Sequence, residues 1–132
     1  MHKILCISNV ANYFNITISN KLKEEYDIFE IKAETNEMSK VPEDVRVWLL
    51  FLDKEILGNA KDLIFIKDKA LENEAALFVI GEAEEIAEAK KYLLASLIEE
   101  EFARPIDMNE VAKTVDEYIK TKGSQIKKKF LL

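Results

Sequence analysis

Five short apolar runs, each followed by a stretch with helical patterning, dominate this 132-residue chain. Lys3–Ile7 (KILCI) is nearly continuous in apolar residues, as a strand covered on both faces must be. Phe14, Ile18 and Leu22 then recur at every fourth position, one apolar stripe of a helix. Tyr26–Ala33 alternates in part and reads as a second strand. The polar segment AETNEMSKVPED predicts a short helix or a loop. Val45–Leu52 (VRVWLLFL) is the strongest strand signal, being β-branched, aromatic and almost wholly apolar.

Gly58-Asn59 breaks the chain before a helix from residue 60, in which Leu63, Ile66, Ala70 and Leu71 share a face. Ala75–Ile80 is the fourth strand. Glu82–Leu97 is built from good helix formers, with Glu84 and Glu85 at the positive end of the helix dipole. A short strand at Glu100–Ala103 leads to a last helix, for which Asp107 and Glu110 have the spacing of a capping box and Gly123 that of a C-terminal stop. Val111, Val115 and Ile119 form its apolar stripe.

Such alternation predicts an α/β domain with a parallel sheet and helices on both faces. Right-handed crossovers and one reversal of winding give a flavodoxin-like, doubly wound five-stranded sheet of order 2-1-3-4-5. Ligands and chemistry on such a sheet gather at the carboxyl ends of the strands. The residues there are Ser8-Asn9, Asp53, Gly81-Glu82 and Arg104-Pro105.

Composition excludes several functions. With 19 basic and 25 acidic residues the formal net charge is −6, which opposes a general nucleic-acid binder. No apolar run reaches the ~18 residues of a membrane span, and the first residues lack a signal-peptide cleavage pattern. A cytoplasmic protein is therefore expected. The one cysteine, Cys6, excludes an internal disulfide and lies inside the first strand, where it reads as a buried structural thiol. The one histidine, His2, supports neither a His-based triad nor a zinc site.

A basic residue closing the fifth strand, then proline, then an acid capping an amphipathic helix (Arg104-Pro105-Ile106-Asp107) resembles the end of bacterial response-regulator receiver domains. The resemblance spans residues 2–122. It rests on element order, spacing and that R-P-x-D ending. In the family the basic residue is usually lysine, often followed by a cis proline, and its amine reaches a phosphorylated aspartate. The cis option is physically cheap for proline, ~0.5–1 kcal/mol above trans.

The family's chemistry needs two acids after strand one and an acceptor aspartate after strand three, which together hold Mg²⁺. It also uses a threonine or serine after strand four. Here Ser8-Asn9 replace the acids and Gly81 replaces the hydroxyl residue. Arg104 replaces lysine, a swap that changes donor geometry. The family's P-D-x-x-x-x-D spacing, counted from Asp44, lands on Leu49; Asp53 is either an acceptor displaced in register or a cap before Lys54.

The resemblance thus implies a degenerate receiver, with magnesium binding weak or absent and no cofactor. Its expected role is non-catalytic: regulation in two-component or phosphorelay signalling through protein contacts. The fourth helix, fifth strand and fifth helix of the family often form the partner or dimer face, which falls here on Ile86–Leu97 and Val111–Lys120. Two other readings stay open: an atypical active receiver phosphorylated at Asp53, and a small flavodoxin-like ligand-binding domain or enzyme outside signalling.

Residues 1–122 are expected to form the domain and 123–132 a linker. Lys129-Phe130-Leu131-Leu132 repeats the pattern of Lys3–Cys6, so the linker is expected to lead into a second domain, a receiver or output domain of a longer chain.

Overall fold

The computed structural model describes residues 2–131, with side chains described for residues 2–122. Its sheet holds five parallel strands in the order β2-β1-β3-β4-β5, as the alternation predicts. The strands are β1 (Lys3–Ile7), β2 (Asp27–Ile31), β3 (Val47–Phe51), β4 (Ala76–Gly81) and β5 (Ile98–Ala103). The three central strands are buried almost end to end, which is why their sequences run apolar without alternation.

The helices are α1 (Tyr13–Lys23), α2 (Thr35–Met38), α3 (Lys54–Leu57), α4 (Ala60–Asn73), α5 (Ala83–Ala89) and α6 (Met108–Leu131). Period-two side-chain direction splits the core into two layers. Leu5, Ile7, Trp48, Leu50, Leu77 and Val79 face the α2–α5 side. Ile4, Cys6, Leu49, Phe51, Phe78 and Ile80 face α1 and α6, meeting Ile18, Leu22, Val111, Val115 and Ile119. The sheet is thus covered on both faces. No helix among the described residues is long and apolar enough to cross a membrane.

Four local expectations are corrected. The helix expected over Glu82–Leu97 stops at Ala89; a turn and a 3-10 segment, Ala95–Leu97, carry the chain into β5. A 16-residue helix would rise about 24 Å, longer than the roughly 20 Å of a six-residue strand it must run back along. The shorter helix and the turn let Leu93 and Leu97 enter the core. On α4, Leu71 is exposed and Asn73 is buried, because the stripe runs Leu63, Ile66, Ala70, Asn73; Asn73 Nδ2 donates to the Pro42 carbonyl.

At α6, Asp107 Oδ1 accepts from the Asn109 N–H, while a side-chain-to-backbone cap of the box type occurs at α5 instead, where Glu82 N–H donates to Glu85 Oε1. The helical backbone of α6 runs past Gly123, where a stop was expected, to Leu131. The side chains of the linker expected over 123–132, and the repeat at its end, lie outside the described residues.

Candidate functional site at the strand ends

The first strand delivers two neutral residues to the carboxyl edge, and both are committed to the fold. Ser8 Oγ donates to the Val10 carbonyl at 2.8 Å and accepts from Asn15 Nδ2 at 3.0 Å. Asn9 Oδ1 accepts from the Ala33 N–H at 2.7 Å, tying the end of β1 to the segment after β2. Their polar atoms thus serve loop geometry.

At the end of β3 the chain gives Leu52 and then Asp53. The Leu52 N–H donates to the Ile80 carbonyl, so the ladder to β4 continues past Phe51 and sets Leu52 beside Gly81. Leu52 is 2% exposed. A Cβ on Gly81 would lie 3.0 Å from Leu52 Cβ and 3.2 Å from Glu85 Oε1. The position where a hydroxyl residue would project is occupied by leucine and glutamate carbon and oxygen.

Asp53 caps α3: its Oδ1 accepts from the Ile56 N–H at 2.8 Å. The capping reading holds, and the carboxylate is half-buried. Leu49, the residue reached by spacing from Asp44, is fully buried mid-strand and paired with Cys6. Asp44 itself is ion-paired to Lys3 at the opposite end of β1 and is held below the usual carboxylate range by that hydrogen bond.

The fifth strand supplies Arg104, whose N–H donates to the Gly81 carbonyl at 2.9 Å. The Arg104-Pro105 peptide is cis, as the resemblance implies. The guanidinium lies 5.3 Å from the centre of the Phe14 ring and its Nη1 is 3.9 Å from Glu82 Oε1. Phe14, Glu82, Arg104, Pro105 and Ile106 line a hollow of about 450 Å³. Arg104 is thus stacked on an aromatic face and facing a carboxylate. The Phe14 contact is invisible in the sequence, where Phe14 reads only as part of the α1 stripe.

Among the described residues, no three His, Cys, Asp or Glu side chains converge as metal ligands. Magnesium requires a near-octahedral set of oxygens, with carboxylates prominent. The side-chain oxygens here are Ser8 Oγ and Asn9 Oδ1, both hydrogen-bonded, Asp53, which caps a helix, Glu85, which accepts from the Glu82 N–H, and Glu82, which faces Arg104. This donor set does not fit the ion.

Cys6 is buried beneath α1, with its thiol pushed up to about 12 by loss of solvent and drawn back in part by Ser19. A thiol in that state is inert at neutral pH.

The arrangement of the sheet, the cis peptide after β5 and the cap on the last helix can be set against solved structures. The chain has a receiver-type fold. The inactive form of the regulatory domain of RitR, the repressor of iron transport regulator, superposes with a TM-score of 0.69 at 13% identity, covering 92% of this chain and 97% of that one. A response regulator receiver domain protein from Clostridium thermocellum gives 0.63 at 15% identity over 95% and 99% of the two chains. A chain of an adenylate cyclase from Rhodopirellula baltica gives 0.68 at 11% identity over 98% and 96%. No protein-family model and no curated protein sequence matches the chain. At these identities the likeness is one of fold.

A single helical turn, α3, stands between β3 and α4 in the connection to β4. The family's fourth helix, fifth strand and fifth helix correspond here to α5, β5 and α6. Lys90 Nζ to Glu101 Oε2, at 2.9 Å, ties the end of α5 to β5 on that face.

Proposed function

We propose that this chain is a non-catalytic, receiver-like regulatory module of bacterial two-component or phosphorelay signalling, acting in the cytoplasm through protein contacts without aspartyl phosphorylation. The observation that carries this reading is the packing of Leu52 against Gly81 at the centre of the strand-end edge. Apolar carbon lies where phosphoryl transfer on this fold would need charge and hydroxyl groups. Phosphoryl transfer depends on positioning and on charge stabilisation. On this edge Asn9, Leu52 and Gly81 are neutral, Asp53 is engaged in the α3 cap and Arg104 lies against Phe14 and Glu82.

Signalling would then run through a contact surface. The α5–β5–α6 face, with Ile86–Leu97 and Val111–Lys120, is the proposed docking surface for a protein partner, a second copy, or a second receiver or output domain of a longer chain. Leu94 on that stretch is 43% exposed.

Mass spectrometry after incubation with a small-molecule phosphodonor and Mg²⁺ tests the proposal, on the wild-type chain and on Asp53→Asn. The expected result is no hydrolysable adduct on either protein. An adduct on the wild type that Asp53→Asn abolishes would establish an active receiver in its place.

A further inference from the structure

The two edges of the sheet differ in how they are guarded. β5 carries three exposed acids in a row, Glu99, Glu100 and Glu101. A strand of the same kind laid against it would meet like charge, which protects an open edge. β2 has no such guard. Phe29 at its centre is 37% exposed, and no lysine or proline lies on the strand.

The free side of β2 is read from its bonds to β1. The Asp27 N–H donates to the His2 carbonyl, and the Ile31 carbonyl accepts from the Ser8 N–H. Backbone groups of successive residues point to alternate sides of a strand. Asp27, Phe29 and Ile31 therefore bond inward, while Ile28 and Glu30 turn their N–H and carbonyl groups outward. Among the described residues, no backbone hydrogen bond reaches those outward groups.

We propose that β2 pairs with β2 of a second copy of this chain, antiparallel about a two-fold axis between the two Phe29 residues. Pairing Ile28 with Glu30 of the other copy joins outward groups to outward groups, and Phe29 meets its own copy as the close, non-hydrogen-bonded pair. Neighbouring registers are worse. One sets Glu30 directly against Glu30, which like charge disfavours. The other needs the Tyr26 N–H, already given to the Leu22 carbonyl. In the favoured register Glu30 keeps its own Lys23 at 3.2 Å. Exposed Lys32, past the carboxyl end of each strand, comes to the turn that holds exposed Glu24 before the other strand, so opposite charges meet at both ends.

Pairing β2 with β5 would instead set Asp27 and Glu30 against the acids of β5 and leave an edge open, whereas the two-fold pairing closes at a dimer. A contact between five-residue strands buries less than the ~1,200 Å² of a standard interface, so the dimer is weak and reversible. The proposal is independent of the signalling reading, because β2 lies at the opposite edge of the sheet from the α5–β5–α6 face.

Sedimentation equilibrium of the full chain tests it, at concentrations up to about 1 mM, where an interface this small associates. The wild type should show a concentration-dependent dimer. Phe29→Lys sets like charges opposite each other at the axis and should weaken that dimer by about tenfold or more. Phe29→Cys should form a disulfide-linked dimer with oxidised glutathione as the electron acceptor, because Cα atoms of a non-hydrogen-bonded pair stand about 4.5 Å apart. Asp27→Cys, with its copies more than ~10 Å apart, should link far more slowly. Cys6 is buried and takes no part. Phe29 and Asp27 are exposed, so neither change opens the core. A wild-type chain that stays monomeric, a dimer that survives Phe29→Lys as one formed through the α5–β5–α6 face would, or equal linking of the two cysteine variants would each overturn the proposal.

Discussion

Gly81 and Leu52 pack closely: a side-chain carbon added to Gly81 would lie 3.0 Å from Leu52 Cβ, tighter than nearly all such contacts. Both are held by backbone hydrogen bonds across β3, β4 and β5, from Leu52 to Ile80 and from Arg104 to Gly81, so neither can step aside cheaply.

Restoring a hydroxyl residue at this point should therefore damage the fold rather than repair the chemistry. Gly81→Thr is expected to lose about 1–3 kcal/mol, the range for overpacking a tight site. Combining it with Leu52→Ala should cost less than the sum of the two single changes, because the second opens the space the first needs. Urea unfolding of the four proteins measures this. Additive losses would show that the contact does not limit the position.

Asp53 acts as a helix cap, and the two halves of that role separate by substitution. Asp53→Asn keeps a side-chain oxygen for the Ile56 N–H and should leave stability within a few tenths of a kcal/mol. Asp53→Ala removes the oxygen and should cost about 1 kcal/mol. Equal losses in thermal or urea unfolding would remove capping as its structural task.

Tyr26 donates its hydroxyl hydrogen to Asp116, joining the turn after α1 to α6. That bond, with help from Lys120, holds the Asp116 carboxyl below its ordinary value, and desolvation followed by the same bond raises the Tyr26 hydroxyl. A carboxylate depressed in the folded state stabilises above its unfolded pKa, and the gain is lost as pH falls through the folded pKa. Tyr26→Phe should thus cost about 1 kcal/mol at pH 7. The gap from wild type should narrow below the carboxylate range. Unfolding curves at neutral and acid pH check this; a gap constant with pH would exclude a charge-dependent bond.

The order of the sheet was legible because burial on both faces leaves its central strands without polar alternation, as in VWLLF and ALFVIG. The α1 and α6 stripes were legible through Ile18, Leu22, Val111, Val115 and Ile119 for the matching reason. Helix length was not. Residues 90–97 have high helix propensity, yet the span of the sheet and the burial of Leu93 and Leu97 override it. At the strand ends, sequence showed which residue types stand there. It could not show that Asn9 is spent on the Ala33 N–H, that Arg104 stacks on Phe14, or that Leu52 fills the side of Gly81. Those are contacts between residues 24, 90 and 29 positions apart, and they are set by register rather than by local pattern. Asn15 and Ser19 are buried with Ile18 and Leu22, a spacing of i, i+3, i+4 and i+7 that sets all four on the inner face of α1.

Titration of the chain with Mg²⁺ and beryllofluoride, followed by amide NMR, tests most directly whether the strand-end edge is silent. Beryllofluoride mimics a phosphoryl group on an aspartate and needs the same metal beside it. The account predicts no saturable shift at Asn9, Asp53, Gly81 or Arg104. Saturable shifts centred on Asp53 that require both Mg²⁺ and beryllofluoride would contradict it.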